Sequence, residues 1–343
     1  MDYVNGMAQL AHPSPFGILV VLDFFLVATS AGLVLISALS AALGWDKFKG
    51  LAKPSAYLAL ATVLAGPIAL LADLGHPLRF LNLFWHFNAR SAMSWGSYIL
   101  MVYTISLGIY VWLLNQNPSK AKNWGILSAV TGVALATYTG MLLAEANSRF
   151  LWNSALTPVL FILSGWVSAW GVLAMCSQWF SGVTRLKGVV LEKYYRSILL
   201  SLLFIEIILV LSQLLVLATN GTQGMAMLNY LFSNRQFTFL WVQILLGMLF
   251  PAVILCVRPG AVAVSGFLAV IGVFFIRYNM IMAGQEIPLT GRVFGYTEHE
   301  PLMWVIFFIA LMVVGFLITV IPKAMEFFAK KSSGEGKSAN LLP

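Results

Sequence analysis

The sequence predicts an all-α integral membrane protein with about nine transmembrane helices. Of its 343 residues, 60% are hydrophobic and only 9% are charged, and the mean hydropathy is +0.89. A soluble domain of this size could not cover its surface with so few charges, so we expect the lipid bilayer to be its solvent. The apolar runs are also too long for the alternating strands, of about ten residues, that form membrane barrels.

Nine apolar segments account for most of the chain, and most of them reach the ~20 residues that span a bilayer as a helix. They cover residues 15–43, 55–74, 92–114, 124–146, 155–180, 197–219, 239–257, 261–283 and 301–321. Only Arg258-Pro-Gly260 separates segments 7 and 8, so eight spans are possible. No basic residue precedes segment 1, which is therefore predicted to be a retained helix rather than a signal peptide. We predict one polytopic membrane domain over 1–322 and a disordered tail over 323–343.

The basic residues predict the orientation of the chain in the membrane. Fourteen of the 20 lysines and arginines, including every lysine, lie in alternate connections: after segments 1, 3, 5 and 7, and in the tail. By the positive-inside rule, the N-terminus is predicted outside and the C-terminus in the cytoplasm. The net charge of +8 is then explained by topology, and no nucleic-acid partner is predicted.

With this orientation, polar side chains collect on the outer face, and all four histidines lie there. No histidine falls inside a predicted span, so the sequence offers no axial ligands for a b-type haem. The two cysteines, Cys176 and Cys256, are too few for an iron–sulfur cluster. Because His76, His86 and His299 are dispersed along the chain, no metal site is predicted.

Three outer residues each allow two interpretations. Asp73 ends an outward-running segment, where it either pairs with Arg79 or exchanges protons with a ligand head group. His12 is either a polar anchor at the interface or a group that accepts a proton while electrons leave a hydroquinone. Tyr138 lies about two turns from the outer end of segment 4, where it is either an interfacial belt residue or a donor to a quinone carbonyl.

Three charged residues lie within predicted spans. Asp23 is about 12 Å along segment 1 and Glu206 about 14 Å along segment 6, which predicts both near the middle of the bilayer. Arg277 is roughly two turns inside the outer end of segment 8. An uncompensated charge there costs at least ~2.5–3.5 kcal/mol, so we expect pairing, neutralisation or a wet cavity. These residues form either a proton path or a buried structural network; a secondary transporter that uses them along a substrate path is the alternative function.

Three stretches resemble motifs of the NrfD/PsrC family, the membrane subunits of polysulfide-reductase-type complexes. Asp73-Leu-Gly-His-Pro-Leu-Arg-Phe and Ser91-Ala-Met-Ser-Trp-Gly96 resemble its D-L-G-R-P-x-R-F and S-x-M-S-W-G patterns. Tyr138-Thr-Gly-Met-Leu-Leu-Ala144 with Leu151-Trp-Asn153, and Arg277 to Gly284-Gln285, resemble two later ones. His76 departs from the family pattern, which often has Arg at that position.

The resemblance implies a quinol-oxidising membrane anchor in the cytoplasmic membrane of a bacterium or archaeon, with no haem or iron–sulfur cluster of its own. Electrons from menaquinol or ubiquinol would pass to a ferredoxin-like iron–sulfur subunit on the outer, periplasmic face, and then to a molybdopterin catalytic subunit. In this interpretation the chain is the quinol dehydrogenase subunit of a multi-subunit oxidoreductase, and another subunit performs the terminal reduction.

The same interpretation assigns roles to individual residues. Tyr138 by motif and His12 by position are predicted to bind the quinone, with Gln9 and Asn5 as further candidates. The predicted proton-transfer residues are Asp73, His76, Asp23 and Glu206. The predicted structural or quinone-pocket charges are Arg79, Arg90 and Arg277.

Overall fold

The computed structural model describes residues 16–41, 50–73, 85, 87–146, 149–178, 192–286, 305–309, 311–321 and 323. Within these residues the regular structure is helical throughout, which confirms the predicted fold class. The first six helices are α1 (Ile18–Ala41), α2 (Ala52–Asp73), α3 (Ala92–Gln116), α4 (Pro118–Ala144), α5 (Leu156–Gln178) and α6 (Glu192–Thr219). They are followed by α7 (Gly221–Ser233), a π-helix π1 (Phe237–Leu249), α8 (Phe250–Val257) and α9 (Val262–Glu286).

Eight helical stretches in the described part are long and apolar enough to cross a membrane. They are α1 to α6, the continuous pair π1–α8, and α9, and they correspond to the first eight predicted segments. A shorter apolar helix at Val305–Ile321 corresponds to segment 9 and includes one residue outside the described set. The orientation of the chain stays a prediction from the positive-inside rule. Residues 324–343, predicted to be disordered, lie outside the described residues.

The sequence did not predict α7 or the π-helical form of segment 7. α7 is a short helix in the connection between segments 6 and 7, and it begins at Gly221, whose φ of 69° is in the left-handed region that glycine tolerates best. π1 packs against α9 so closely that the backbones of Gly247 and Gly272 touch. Long π-helices are rare and are found mostly at functional sites.

α1 is the central helix of the bundle. It packs against α2, α4, α5 and α9, and 94% of its most apolar window is buried within the protein. Small residues allow the close approach to α5: a Cβ on Gly32 would overlap the backbone of Gly165, and a Cβ on Gly165 would overlap that of Ala28. Lipid cannot drive helices together by the hydrophobic effect, so such close backbone packing provides much of the association energy.

The other helices form two groups around α1. The first group is α2, α3 and α4, in which α3 packs mainly on α4 and α4 returns to α1. The second group is α5, α6, π1, α8 and α9, in which α9 packs on both α5 and π1. Each group contains its own cluster of buried polar side chains.

Candidate functional site

The structure describes some of the predicted site residues and not others. Asn5, Gln9, His12, His76 and Arg79 lie outside the described residues, and Asp73 ends α2 without a described side chain. The residues that can be placed are Asp23, Arg90, Tyr138, Glu206 and Arg277. They divide between the two helix groups, so the structure does not bring all of them together.

Tyr138 lies at the interface between α4 and α3. A Cβ added to Gly96 of α3 would overlap the phenol end of Tyr138, at Cζ, Cε1 and the hydroxyl. Glycine at position 96 is therefore what allows the Tyr138 ring to cross the face of α3. Gly96 ends the motif that begins at Ser91, which gives this part of the sequence pattern a physical reason.

Asp23 faces the same helix group from α1. It is only 6% exposed, and its carboxyl packs on Gly66 of α2, where an added Cβ would be 2.7 Å from Oδ1. Oδ1 is buried and accepts no hydrogen bond from a described group. The charges of Asp23 and Tyr138 interact, although no hydrogen bond joins the two side chains. A buried carboxyl oxygen without a partner is costly, so this position suits a ligand that can donate a hydrogen bond.

The predicted depth of Asp23 was wrong. The sequence placed it near the middle of the bilayer, but α1 begins at Ile18, so Asp23 lies only about 7.5 Å from the start of the helix at 1.5 Å per residue. Tyr138 lies about 9 Å from the end of α4 at Ala144 by the same rise. The two residues are thus at similar depths, near the same side of the bundle.

Glu206 and Arg277 form a separate buried cluster in the second group. Arg277 is fully buried and donates from Nη2 to the carbonyl of Phe161 at 3.1 Å, with its guanidinium 5.0 Å from the centre of that ring. Glu206 is 1% exposed, lies near the middle of α6, and interacts electrostatically with Arg277. None of the contacts described for Arg277 involves Asp23 or Tyr138, so its described surroundings are those of a structural charge.

A polar cavity lies near this cluster, between α6, π1 and α9. It has a volume of about 30 Å³, and three buried carboxamides line it: Gln213, Gln243 and Asn279. Asn279 donates to Gln243 at 2.8 Å and accepts from Thr238 at 2.7 Å. The cavity has room for roughly two water molecules by its volume. The sequence analysis missed it, although two glutamines and an asparagine within apolar segments were a possible signal.

An ion pair links the connection before π1 to the end of α9. The Arg235 guanidinium binds both carboxylate oxygens of Glu286, with Nε 3.0 Å from Oε2, and also donates to the Tyr278 hydroxyl at 3.2 Å. Burial lowers the pKa of Arg235, but the hydrogen bonds and charge of Glu286 outweigh it and hold the pKa above its usual range. Burial, and then the hydrogen bond that Tyr230 donates to Glu286, raise the pKa of the Tyr230 phenol. The sequence analysis did not single out this cluster.

Two of the recognised motifs meet at the same end of α9. The Trp152 indole donates to the carbonyl of Met280 at 2.6 Å and occupies the space that a Cβ on Gly284 would need. The next residue, Gln285, is hydrogen-bonded to the backbone of Phe16, just before α1. Arg149 reaches the carbonyl of Gln285 at 3.2 Å. These contacts connect the start of α1 to α5 and α9.

The turn before α3 carries an aromatic surface, which we call the α2–α3 aromatic surface and define as Trp85, Phe87, Trp95 and Tyr98. Trp85 is 81% exposed, and Phe87 packs edge to face on Trp95 and Tyr98 at 5.2 and 5.1 Å between ring centres. Arg90 is exposed in the same turn. Among the described residues, no three histidine, cysteine or acidic side chains cluster in a way that could hold a metal ion.

Comparison with known families assigns the chain. The sequence profile of the family described as polysulphide reductase, NrfD, matches residues 6–288. The chain belongs to this NrfD family. The matched region includes every described transmembrane helix, so the packing above is that of an NrfD-family membrane domain.

Known relatives of this NrfD-family chain are membrane subunits of oxidoreductase complexes. It is 26% identical to the "Hdr-like menaquinol oxidoreductase integral membrane subunit" of Archaeoglobus fulgidus, over 84% of the chain and 75% of the relative. It is 22% identical to a selenate reductase subunit of Mesobacillus selenatarsenatis, over 82% and 76% respectively. It is 31% identical to a polysulfide reductase chain of Wolinella succinogenes, over 41% of the present sequence and 51% of the relative. The NrfD-family chain is therefore a multi-pass membrane protein of the type found in redox complexes.

Proposed function

We propose that the chain is the quinol-oxidising membrane subunit of a respiratory oxidoreductase in a bacterial or archaeal cytoplasmic membrane. It takes electrons from menaquinol or ubiquinol and passes them to an iron–sulfur subunit docked on the outer face. A molybdopterin subunit then reduces the terminal acceptor. The printed name of the Archaeoglobus fulgidus relative supports menaquinol as the first substrate to test.

The observation that carries this proposal is the position of Tyr138 beside Asp23 within α1 to α4. The phenol crosses α3 at Gly96, and the carboxyl that shares its surroundings has a buried oxygen with no hydrogen-bond donor. A hydroquinone supplies two hydroxyl donors, which fits the chemistry of these two side chains. The site lies only two turns from the helix ends, so protons released there have a short way to water.

The chemistry requires two electrons and two protons to leave the hydroquinone. In the proposal, the iron–sulfur subunit is the oxidant and takes the electrons one at a time. Tyr138 and His12 hold the two oxygens, with Gln9 and Asn5 nearby, and Asp23 accepts a proton. Asp73 and His76 then pass protons to the outer aqueous phase. Glu206 is proposed as a further proton-transfer residue within the second helix group.

The α2–α3 aromatic surface is proposed as part of the docking site for the iron–sulfur subunit. Exposed aromatic residues and arginine are the types enriched at the centre of protein interfaces, and Trp85, Phe87 and Arg90 are all exposed here. Arg79, in the preceding connection, is proposed to contribute charge to the same face. The surface adjoins the start of α3, a short distance from Gly96 along the helix.

Replacing Tyr138 with Phe in the intact complex tests the proposal. We expect kcat/KM for a menaquinol analogue to fall roughly ten-fold, since one hydrogen bond to the substrate is lost. Reduction by an artificial dye that feeds the catalytic subunit directly should be unchanged. Tyr110→Phe is the matched control, because Tyr110 is buried deeper in the bundle and bonded to Ser37. Equal rates with menaquinol in Tyr138→Phe and wild type would refute the site.

A further inference from the structure

Two hydroxyl–phenol pairs lie one above the other inside α1, α2 and α3. In the first, the Ser30 hydroxyl donates to the carbonyl of Ala59 at 2.7 Å and lies 2.6 Å from the Tyr103 hydroxyl. On the fourth helix, Gly132 leaves room for the Tyr103 ring. Both hydroxyl-bearing side chains are buried, and each satisfies the other.

The second pair repeats this arrangement seven residues further along each helix. Ser37 donates to the carbonyl of Ala52 at 2.6 Å and lies 2.8 Å from the hydroxyl of Tyr110, whose ring packs on Gly125. Seven residues are close to two helical turns, so each helix presents the same face at both levels. We call this stack the hydroxyl–phenol ladder, defined by Ser30–Tyr103 and Ser37–Tyr110.

One step in the other direction along the ladder leads to the candidate site. Seven residues from Ser30 on α1 is Asp23, and seven residues from Tyr103 on α3 is Gly96. The same step on α2 leads from Ala59 to Gly66, the residue on which Asp23 packs. At this third level the serine is replaced by an acid, and the α3 tyrosine is replaced by glycine.

The third level therefore lacks the phenol that pairs with α1 at the other two. Tyr138, from α4, lies over Gly96 where the missing tyrosine would begin, but it makes no hydrogen bond with Asp23. Oδ1 of Asp23 is buried without a donor, whereas Ser30 and Ser37 both have their phenol partners. An aromatic hydroxyl that reached Asp23 would restore the pattern of the ladder.

We propose that the hydroxyl of a bound hydroquinone takes the place of the missing phenol and donates a hydrogen bond to Asp23. This inference rests on the proposed function and adds to it the orientation of the head group: one hydroxyl at Asp23 and the opposite one toward Tyr138. A 1,4-hydroquinone carries its two hydroxyls at opposite ends of one ring, as two groups facing each other across a site require. Asp23 then acts as a substrate-binding residue that recognises the reduced form.

Asp23 also gives the site a preference between substrate and product. The hydroquinone hydroxyl can donate to a carboxyl oxygen, whereas the quinone carbonyl can only accept. The two serines of the ladder could not make this distinction, because a hydroxyl both donates and accepts. The change from serine to aspartate at the third level is therefore consistent with a site that binds a donor.

The test compares two naphthalene ligands that differ only in the hydroxyl. Binding of 4-methoxy-1-naphthol and of 1,4-dimethoxynaphthalene to the detergent-solubilised complex is measured by calorimetry, for wild type and for Asp23→Ala and Asp23→Asn. We expect Asp23→Ala to weaken binding of the naphthol by roughly ten- to a hundred-fold, the range for a hydrogen bond to a charged group. Asp23→Asn, which keeps one carbonyl acceptor, should weaken it less. Affinity for the dimethoxy compound, which has no hydroxyl, should change by less than about two-fold.

Controls separate this inference from folding and from the proposed function. Ser30→Ala breaks the ladder below the site, so it should lower the melting temperature and leave the ratio of the two affinities unchanged. If Asp23→Ala changes both affinities equally or neither, the inference is wrong, even where wild type oxidises menaquinol normally. If wild type binds the naphthol through Asp23 but does not oxidise menaquinol, the proposed function is wrong while the binding site stands.

Discussion

Gln285 of α9 makes two hydrogen bonds with the backbone of Phe16. Its Oε1 accepts from the Phe16 N–H at 2.9 Å, and its Nε2 donates to the Phe16 carbonyl at 3.1 Å. The Phe16 ring in turn packs on Trp152, with 6.0 Å between ring centres. The chain just ahead of α1 is thus fixed by the last helix of the second group. His12 is only four residues earlier, so Gln285 restricts where that residue can reach.

Gln285→Ala should destabilise the protein and weaken the proposed site. Two buried hydrogen bonds to backbone are lost, and we expect unfolding in detergent to become easier by about 1–2 kcal/mol. Thermal unfolding followed by circular dichroism measures the change. Gln223→Ala, at an exposed position on α7, is the control and should stay within about 0.5 kcal/mol of wild type. Equal stabilities for the two variants would mean that the Phe16 contact contributes little.

Gly96→Ala should displace Tyr138 while leaving the fold intact. The new methyl group would overlap the end of the Tyr138 side chain, which can rotate away, so we expect a loss of about 1 kcal/mol in stability, the low end for overpacking. Oxidation of the menaquinol analogue should fall about as far as in Tyr138→Phe. Gly108→Ala on the same helix meets nothing within 4 Å, and alanine favours helix, so it should be neutral or stabilising. Normal turnover in Gly96→Ala would exclude Tyr138 from the site.

Glu286→Gln should be among the more destabilising single substitutions in the second group. It leaves the Arg235 guanidinium without its negative partner at a position where both side chains are largely buried. Breaking a buried ion pair by removing one partner costs about 3–5 kcal/mol, and we expect the lower end because Arg235 is 14% exposed. Chemical denaturation gives the value. Glu145→Gln, exposed at the end of α4, is the matched control and should change little.

The raised pKa of Tyr230 predicts a loss of stability in alkaline solution. Below pH 10, the ordinary value for tyrosine, the phenol is neutral in both the folded and the unfolded state, so its contribution to stability is fully present. Above that pH the unfolded state loses the proton first, and stability falls until the folded pKa is passed. Melting temperatures between pH 8 and 11 should therefore fall less for Tyr230→Phe than for wild type. Parallel curves would contradict the prediction.

Residues whose position depends on one helix were predicted well from the sequence. The apolar runs gave the eight described spans because the bilayer sets the helix length, and Glu206 falls near the middle of α6 as expected. Tyr138 is within α4 at the predicted distance from its end. Such positions follow from counting residues along a single element.

Relationships between helices could not be predicted in the same way. Asp23 was placed too deep because the apolar run begins before the helix does, and hydropathy alone does not mark the first helical residue. The π-helical form of 237–249 depends on packing against α9, as at Gly247 and Gly272. The pairing of Asp23 with Gly66 joins two helices whose mutual rotation no single-helix pattern determines.

The burial of α1 has a consequence for how the protein is made. α1 packs against α9 as well as against its early neighbours, yet the ribosome completes α9 roughly 250 residues later. At about 5–20 residues per second, α1 therefore waits on the order of ten to fifty seconds for its last partner. During that time its aspartate and serines face lipid, early-formed helices or the insertion machinery. The most polar buried helix of the first group is thus the one that depends longest on temporary shielding during biogenesis.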